Sequence, residues 1–172
     1  MSFCPIRGGD GVLYLIDANV LIRAHEDYYG IDQVPQFWIW LLTVAEAGLV
    51  KMPFEIHDEI AVSTGPLSAW IKLETTKERL ILDEEVKGAC VDRVLREGYA
   101  PDLDDSELEK MGRDPFLIAY ALAAKDRIVV TKEVSRPGKK RANRKIPDVC
   151  AYFGIKCMKD FDFFRSAGFN TK

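Results

Sequence analysis

The segment Val12-Leu13-Tyr14-Leu15-Ile16-Asp17-Ala18-Asn19 constrains the fold more than any other. Five mostly apolar residues run straight into an acid, behind glycines at 8, 9 and 11. Such a run reads as a strand buried on both faces. In an open α/β sheet, ligands sit beyond the carboxyl ends of the strands, where Asp17 and Asn19 fall. A carboxylate in that position is poorly solvated and asks for a partner, most simply a cation. The same residues also suit another role, with Asp17 capping the following helix and Asn19 making its turn.

A second apolar run, Arg127-Ile128-Val129-Val130-Thr131, follows a helix carrying Leu117, Ile118, Ala121 and Leu122. Apolar helix, short turn and apolar strand make a parallel α/β unit. Pro115 fits the first helical position, which makes Asp114 the N-cap. Upstream, Pro35 opens a helix over 35–47 that Gly48 stops. Its Phe37, Trp38, Trp40, Leu41 and Val44 are apolar nearly all round, as in helices packed on several sides; a partner groove or base-stacking surface is the other use of such aromatics. Residues 49–52 read as a short strand, 54–63 as a helix displaying Asp58 and Glu59, and 79–82 as another short strand. Asp83 reads as an N-cap with Glu84 and Glu85 at the positive end of a helix dipole. Residues 146–154 read as a helix and 155–158 as a late strand. Residues 1–10 and the tail from Ser166 read as irregular.

The 172 residues suffice for one domain with a full core, and no repeat or linker divides them. A net charge of −3 does not announce a polyanionic partner, although local patches decide binding. No apolar stretch has the length of a membrane span, and the N-terminus lacks the apolar core of a signal peptide. A cytoplasmic location is expected. The four cysteines have no CxxC spacing and there are two histidines, His25 and His57, so reduced thiols are expected rather than a zinc site or redox pair.

The acids make a pattern. Asp17 and Glu133 each follow a buried strand, Asp114 caps a helix that leads into one, and Glu59 lies on a helix after the second strand. A parallel sheet brings strand carboxyl ends to one edge, so these groups can converge. Converging carboxylates repel unless cations neutralise them, and oxygen ligands of this kind suit Mg²⁺ or Mn²⁺. Such a site can activate water and hold phosphoryl oxygens in line for attack. Just after Glu133, residues 136–145 hold Arg136, Lys139, Lys140, Arg141, Arg144 and Lys145 with no acid. Beside a metal site, this loop would hold a polyanion's phosphates; taken alone, it reads as a solvated charged loop. The acidic stretch Asp102, Asp104, Asp105, Glu107 and Glu109 reads as a solvated face.

With these residues in place, the chain resembles the PIN-domain nucleases, the fold of VapC-type toxin ribonucleases, over roughly 13–161. Leu15-Ile16-Asp17-Ala18-Asn19-Val20-Leu21 resembles the family's opening strand and first acid. Glu59 in His57-Asp58-Glu59-Ile60 resembles the second acid, Asp114 the third, and Val130-Thr131-Lys132-Glu133 the fourth, where the family more often has Asp. Asp148 is an alternative fourth acid. Val34-Pro35-Gln36-Phe37-Trp38 with Trp40-Leu41, and Ile146-Pro147-Asp148-Val149-Cys150, resemble a bacterial PIN-like subfamily of uncertain role. The resemblance implies one PIN-like nuclease domain spanning 1–172, a three-layer α/β/α sandwich with a mainly parallel sheet. It implies Mg²⁺- or Mn²⁺-dependent cleavage of RNA. Asp17, Glu59 and Asp114 would be catalytic and, with Glu133, would bind metal, while Asn19 and Thr131 would orient them. It further implies a toxin with an antitoxin partner, and a homodimer. The alternatives are a PIN-like binding module without catalysis, and a Mg²⁺-dependent phosphatase of the haloacid-dehalogenase type. The latter needs a second Asp where this chain has Asn19.

Overall fold

The protein is described here by a computed structural model covering residues 11–171. The lead-in expected to be irregular at 1–10, with Cys4, lies outside the described residues, as does Lys172. β1 (Leu13–Ile16) runs into α1 (Ala18–Arg23), which widens into a π-helical turn, Ala24–Tyr28. α2 (Pro35–Glu46) returns the chain to β2 (Val50–Lys51). A helical passage follows: α3 (Phe54–Ala61), α4 (Pro66–Ile71), α5 (Glu74–Leu80), α6 (Gly88–Arg93) with a π-helical continuation Val94–Tyr99, α7 (Asp105–Met111) and α8 (Asp114–Leu122). β3 (Arg127–Thr131), a 3-10 turn Arg141–Asn143, α9 (Ile146–Tyr152), β4 (Lys156–Lys159) and α10 (Asp160–Ser166) complete the chain.

The four strands form one sheet in the order β2-β1-β3-β4, every neighbouring pair parallel. Consecutive strand residues point to opposite faces. Leu15 and Ile16 on β1, and Val129 and Val130 on β3, are all 0% exposed. Both faces of the central strands are therefore covered, and the molecule is an α/β/α sandwich of the expected kind. From β1 the chain goes first to β2 on one side, then crosses to β3 on the other. That reversal opens a crevice at the carboxyl ends of β1 and β3, and the register Ile16↔Val130 sets the two strand ends level there.

The aromatic residues of α2 belong to the core. Phe37, Trp38 and Trp40 are buried. Phe37 stacks on Tyr29 at 4.7 Å and meets Phe164 and Phe169 edge-on. The indole N–H groups of Trp38 and Trp40 donate to the carbonyls of Tyr29 and Ala167, as buried indoles require. The tail beyond Ser166 has no regular secondary structure, as expected, yet it is packed: Ala167 is buried and Phe169 closes over this cluster.

Two local expectations fail. Residues 79 and 80 are the end of α5, and the strand shrinks to a parallel bridge between Met52 and Ile81. Thr76 and Leu80, buried one helical turn apart, fit helix, and only the Leu80 carbonyl and Leu82 N–H bond to Met52. Asp83 does not start a helix; α6 begins at Gly88. Glu84 is drawn instead to the buried guanidinium of Arg127, which donates to its carboxylate at 2.7 Å and to the Tyr120 carbonyl at 2.7 Å. A buried cation outweighs the few tenths of a kcal/mol that an exposed helix dipole offers.

Candidate active site

Asp17 sits where β1 ends, 3% exposed. Its backbone N–H continues the ladder to the Val130 carbonyl at 3.0 Å. Its carboxylate accepts a 2.8 Å hydrogen bond from the Thr131 hydroxyl, at the end of the neighbouring strand. The parallel register thus makes acid and hydroxyl meet, although 114 residues separate them in sequence. Asn19 sits across the same strand ends. Its amide nitrogen lies 3.2 Å from the Thr131 hydroxyl oxygen, and its carbonyl accepts from the Lys132 N–H at 3.1 Å. Asp17 occupies the N-cap position of α1, yet its side chain makes no capping bond.

Asp114 enters from α8. It lies inside the first helical turn, with Arg113 before it and no side-chain capping bond, so the expected N-cap role is not what its carboxyl does. Burial pushes the Asp114 carboxyl up to about 8; the charges of Asp17, Glu133 and Glu59 add to this, and Lys145 opposes it. Asp17 is raised to about 7, first by burial, with the Thr131 hydrogen bond pulling down and Glu59 and Glu133 pushing up. Glu59 on α3 stands at the rim, its side chain open to solvent; partial desolvation of its carboxyl raises its pKa and Arg113 lowers it.

Glu133 is close enough for its charge to be felt by Asp17 and Asp114, but it already has partners. Its carboxylate accepts from the Lys145 ammonium at 2.9 Å and from the Ile146 N–H, at the start of α9, at 2.9 Å. Asp148 does a different job. It accepts from the Ser135 hydroxyl and, at 2.7 Å, from the Arg136 N–H, which pins the segment after β3.

The basic segment divides. Arg141 is held by Asp102 and Glu107 from the acidic stretch, each at 2.7 Å, so that stretch is more than a solvated face. Arg144 donates to the carbonyls of Gly98 and Asp148. Lys145 pairs with Glu133. Arg136, Lys139 and Lys140 are exposed and have no ion-pair partner among the described residues.

Several residues near the site carry no sequence motif. Tyr99, at the end of the π-helical stretch, has a buried hydroxyl without a hydrogen-bond partner among the described residues. Its pKa is raised by burial and by the charge of Asp114. The only advance signal is its position just before a segment rich in acids. Among the described residues Cys90, Cys150 and Cys157 are free thiols, as expected; Cys157 pushes the Cys150 thiol up, and Cys150 draws that of Cys157 down. His25 Nδ1 accepts from the Ile31 N–H, and a ring nitrogen of His57 meets the Ile71 carbonyl; both are structural.

Among the described residues, no group of three or more His, Cys, Asp or Glu side chains is gathered tightly enough to hold a metal ion. Mg²⁺ rarely uses an all-protein cage, and one or two carboxylates plus substrate phosphates and water suffice. The donor chemistry fits such an ion: buried Asp17 and half-buried Asp114 are oxygen donors with no ion pair to a basic residue among the described residues.

Residues 14–171 match the family described as Domain of unknown function (DUF4411). The chain belongs to that family. The DUF4411 match takes in residues 14–16 of β1, Asp17, Glu59, Asp114 and Glu133, and the basic segment. Comparison with curated proteins finds no match.

Proposed function

We propose that the protein is a divalent-cation-dependent nuclease that hydrolyses RNA phosphodiester bonds in the crevice between β1 and β3. One observation carries the reading. Buried Asp17 and half-buried Asp114, from different elements, meet at the switch point of a parallel sheet, the charge of Asp17 raising Asp114, with no cation paired to either among the described residues. The fold tolerates this repulsion only at a cost, and perturbed acids in a crevice mark functional sites. Asp17 and Asp114, with Glu59 at the rim, would hold Mg²⁺ or Mn²⁺. Such an ion supplies Lewis acidity toward the phosphodiester and the attacking water. The Thr131 hydroxyl fixes the Asp17 carboxylate, and Asn19 fixes Thr131 and the turn into Lys132. Glu133, paired with Lys145, orients the start of α9, and its charge still raises Asp17 and Asp114. Of the basic segment, the exposed and unpaired Arg136 would face the polyanion.

The resemblance to PIN-domain toxins supports a role in a toxin–antitoxin pair. Expression of the wild type would then arrest growth, and Asp17→Asn would relieve the arrest. A second reading, a PIN-like binding module, is favoured by the engagement of Glu133 with Lys145. One experiment separates the two: incubate a mixed RNA pool with purified protein and Mn²⁺, Mg²⁺ or EDTA, beside Asp17→Asn. Cutting that needs metal and vanishes in the variant supports the nuclease. RNA retention without cutting under any metal supports the binding module.

A further inference from the structure

Beside the acids lies an open pocket of about 420 Å³ lined by Arg23, Lys132, Glu133, Val134, Arg136 and Lys145. Four cations face one acid there. Arg23 is satisfied by Asp160, its Nε–H donating at 2.8 Å, and Lys145 by Glu133. Lys132 and Arg136 have no ion-pair partner among the described residues. Counting Asp160 with the lining, the pocket keeps a surplus of two positive charges in a chain whose net charge is −3. The surplus is therefore local and placed.

It is also held in shape. Lys132 follows Thr131, and its N–H is tied to Asn19. Glu133 is anchored to Lys145 and to the first turn of α9. The Arg136 N–H and the Ser135 hydroxyl are anchored to Asp148. A loop pinned at both ends presents its cations without much ordering cost. Val134, itself exposed, is the one apolar side chain in the lining, unlike the mostly apolar walls of an enclosed small-molecule site.

We infer that this pocket is a subsite for a backbone phosphate of single-stranded RNA, adjacent to the phosphodiester at Asp17 and Asp114, with Lys132 and Arg136 as its phosphate ligands. The inference rests on the nuclease reading for the neighbouring bond. It assigns Lys132, which lies outside the basic segment, and it places the strand toward α1, where Arg23 lines the pocket, rather than over the loop tip at Lys139 and Lys140.

The test is binding of a fluorescent 12-nucleotide single-stranded RNA in EDTA, from 50 to 200 mM KCl, with inorganic phosphate as competitor. Lys132→Ala/Arg136→Ala is expected to bind about 10-fold or more weakly at 50 mM, with the slope of log affinity against log salt reduced by about 1.4, two contacts at ~0.7 each. Lys72→Ala/Lys110→Ala, an equal loss of exposed charge outside the pocket, is expected to stay within about 3-fold of wild type. Equal losses in both doubles, no loss in the pocket double, a larger loss from Lys139→Ala/Lys140→Ala, no RNA binding by the wild type, or tighter binding of inorganic phosphate than of RNA would each overturn the subsite. Cleavage of the same RNA with Mn²⁺ separates the two readings. Cutting with unchanged affinity in the pocket double refutes the subsite alone. Pocket-dependent binding with no cutting refutes the nuclease alone.

Discussion

Replacing Asp17 with asparagine removes one titrating group from the floor of the crevice and keeps its shape. In the metal-free protein the Asp17 carboxyl titrates at about 7, against 3.8 for a free aspartate. At about 1.36 kcal/mol per pH unit, that gap is worth about 4 kcal/mol. Between about pH 4 and 7 the folded protein keeps a proton on Asp17 that the unfolded chain has released. Stability from this group is therefore whole below the unfolded value and is lost as pH rises through the folded one. Asparagine does not titrate. The wild type should lose about 3 kcal/mol relative to Asp17→Asn between pH 4 and pH 7. Any fixed cost of the extra amide N–H cancels in that comparison. Relief of Asp114, whose proton affinity Asp17 raises, acts in the same direction. For a chain of this size the difference corresponds to roughly 6–12 °C in Tm. Urea unfolding of both proteins in EDTA at pH 4, 5, 6 and 7 measures it. Parallel stability curves would show that Asp17 is solvated or already neutralised, and the argument for a strained acid pair would fall.

Four further outcomes follow from the same contacts. Thr131→Val keeps the volume but removes the hydrogen bond to Asp17; it should cost about 1–3 kcal/mol at pH 7 and move the Asp17 titration, followed by carboxyl NMR, further up. Mn²⁺ binding measured by calorimetry should weaken roughly 10-fold or more from pH 8 to pH 6, because Asp17 and Asp114 must both be deprotonated to bind; affinity that is flat with pH would exclude them as ligands. Glu84→Gln strips the counter-charge from the buried Arg127 guanidinium and should lower stability by about 2 kcal/mol or more in chemical denaturation, whereas Arg127→Met, which leaves a half-exposed carboxylate that water can solvate, should cost less. Phe169→Ala should cost about 2 kcal/mol despite lying three residues beyond the last helix, since its ring closes the cluster of Tyr29, Phe37 and Trp40; no change would mean that the tail is not docked in solution.

Much of this fold is legible without coordinates because the information is local. The apolar runs ending at Asp17 and Thr131, the Pro35 and Gly48 boundaries of α2, and the apolar α8 before β3 each carry their own signal of period and punctuation. A parallel sheet with its acids at one edge follows from those patterns. What the pattern does not contain is competition between partners distant in sequence. Glu84 could serve a helix dipole or a buried guanidinium, and only the fold brings Arg127 to it. Arg141 could face solvent or the acidic stretch, and packing of its turn near α7 decides for Asp102 and Glu107. Asp148 and Glu133 look alike as candidate acids, yet one ties down a loop while the other adds its charge to the crevice. By itself the sequence determined which residues could form strands, core and acidic edge. The tertiary structure decided which charges are neutralised and which remain strained, because desolvation and pairing depend on neighbours that only the strand order β2-β1-β3-β4 brings together.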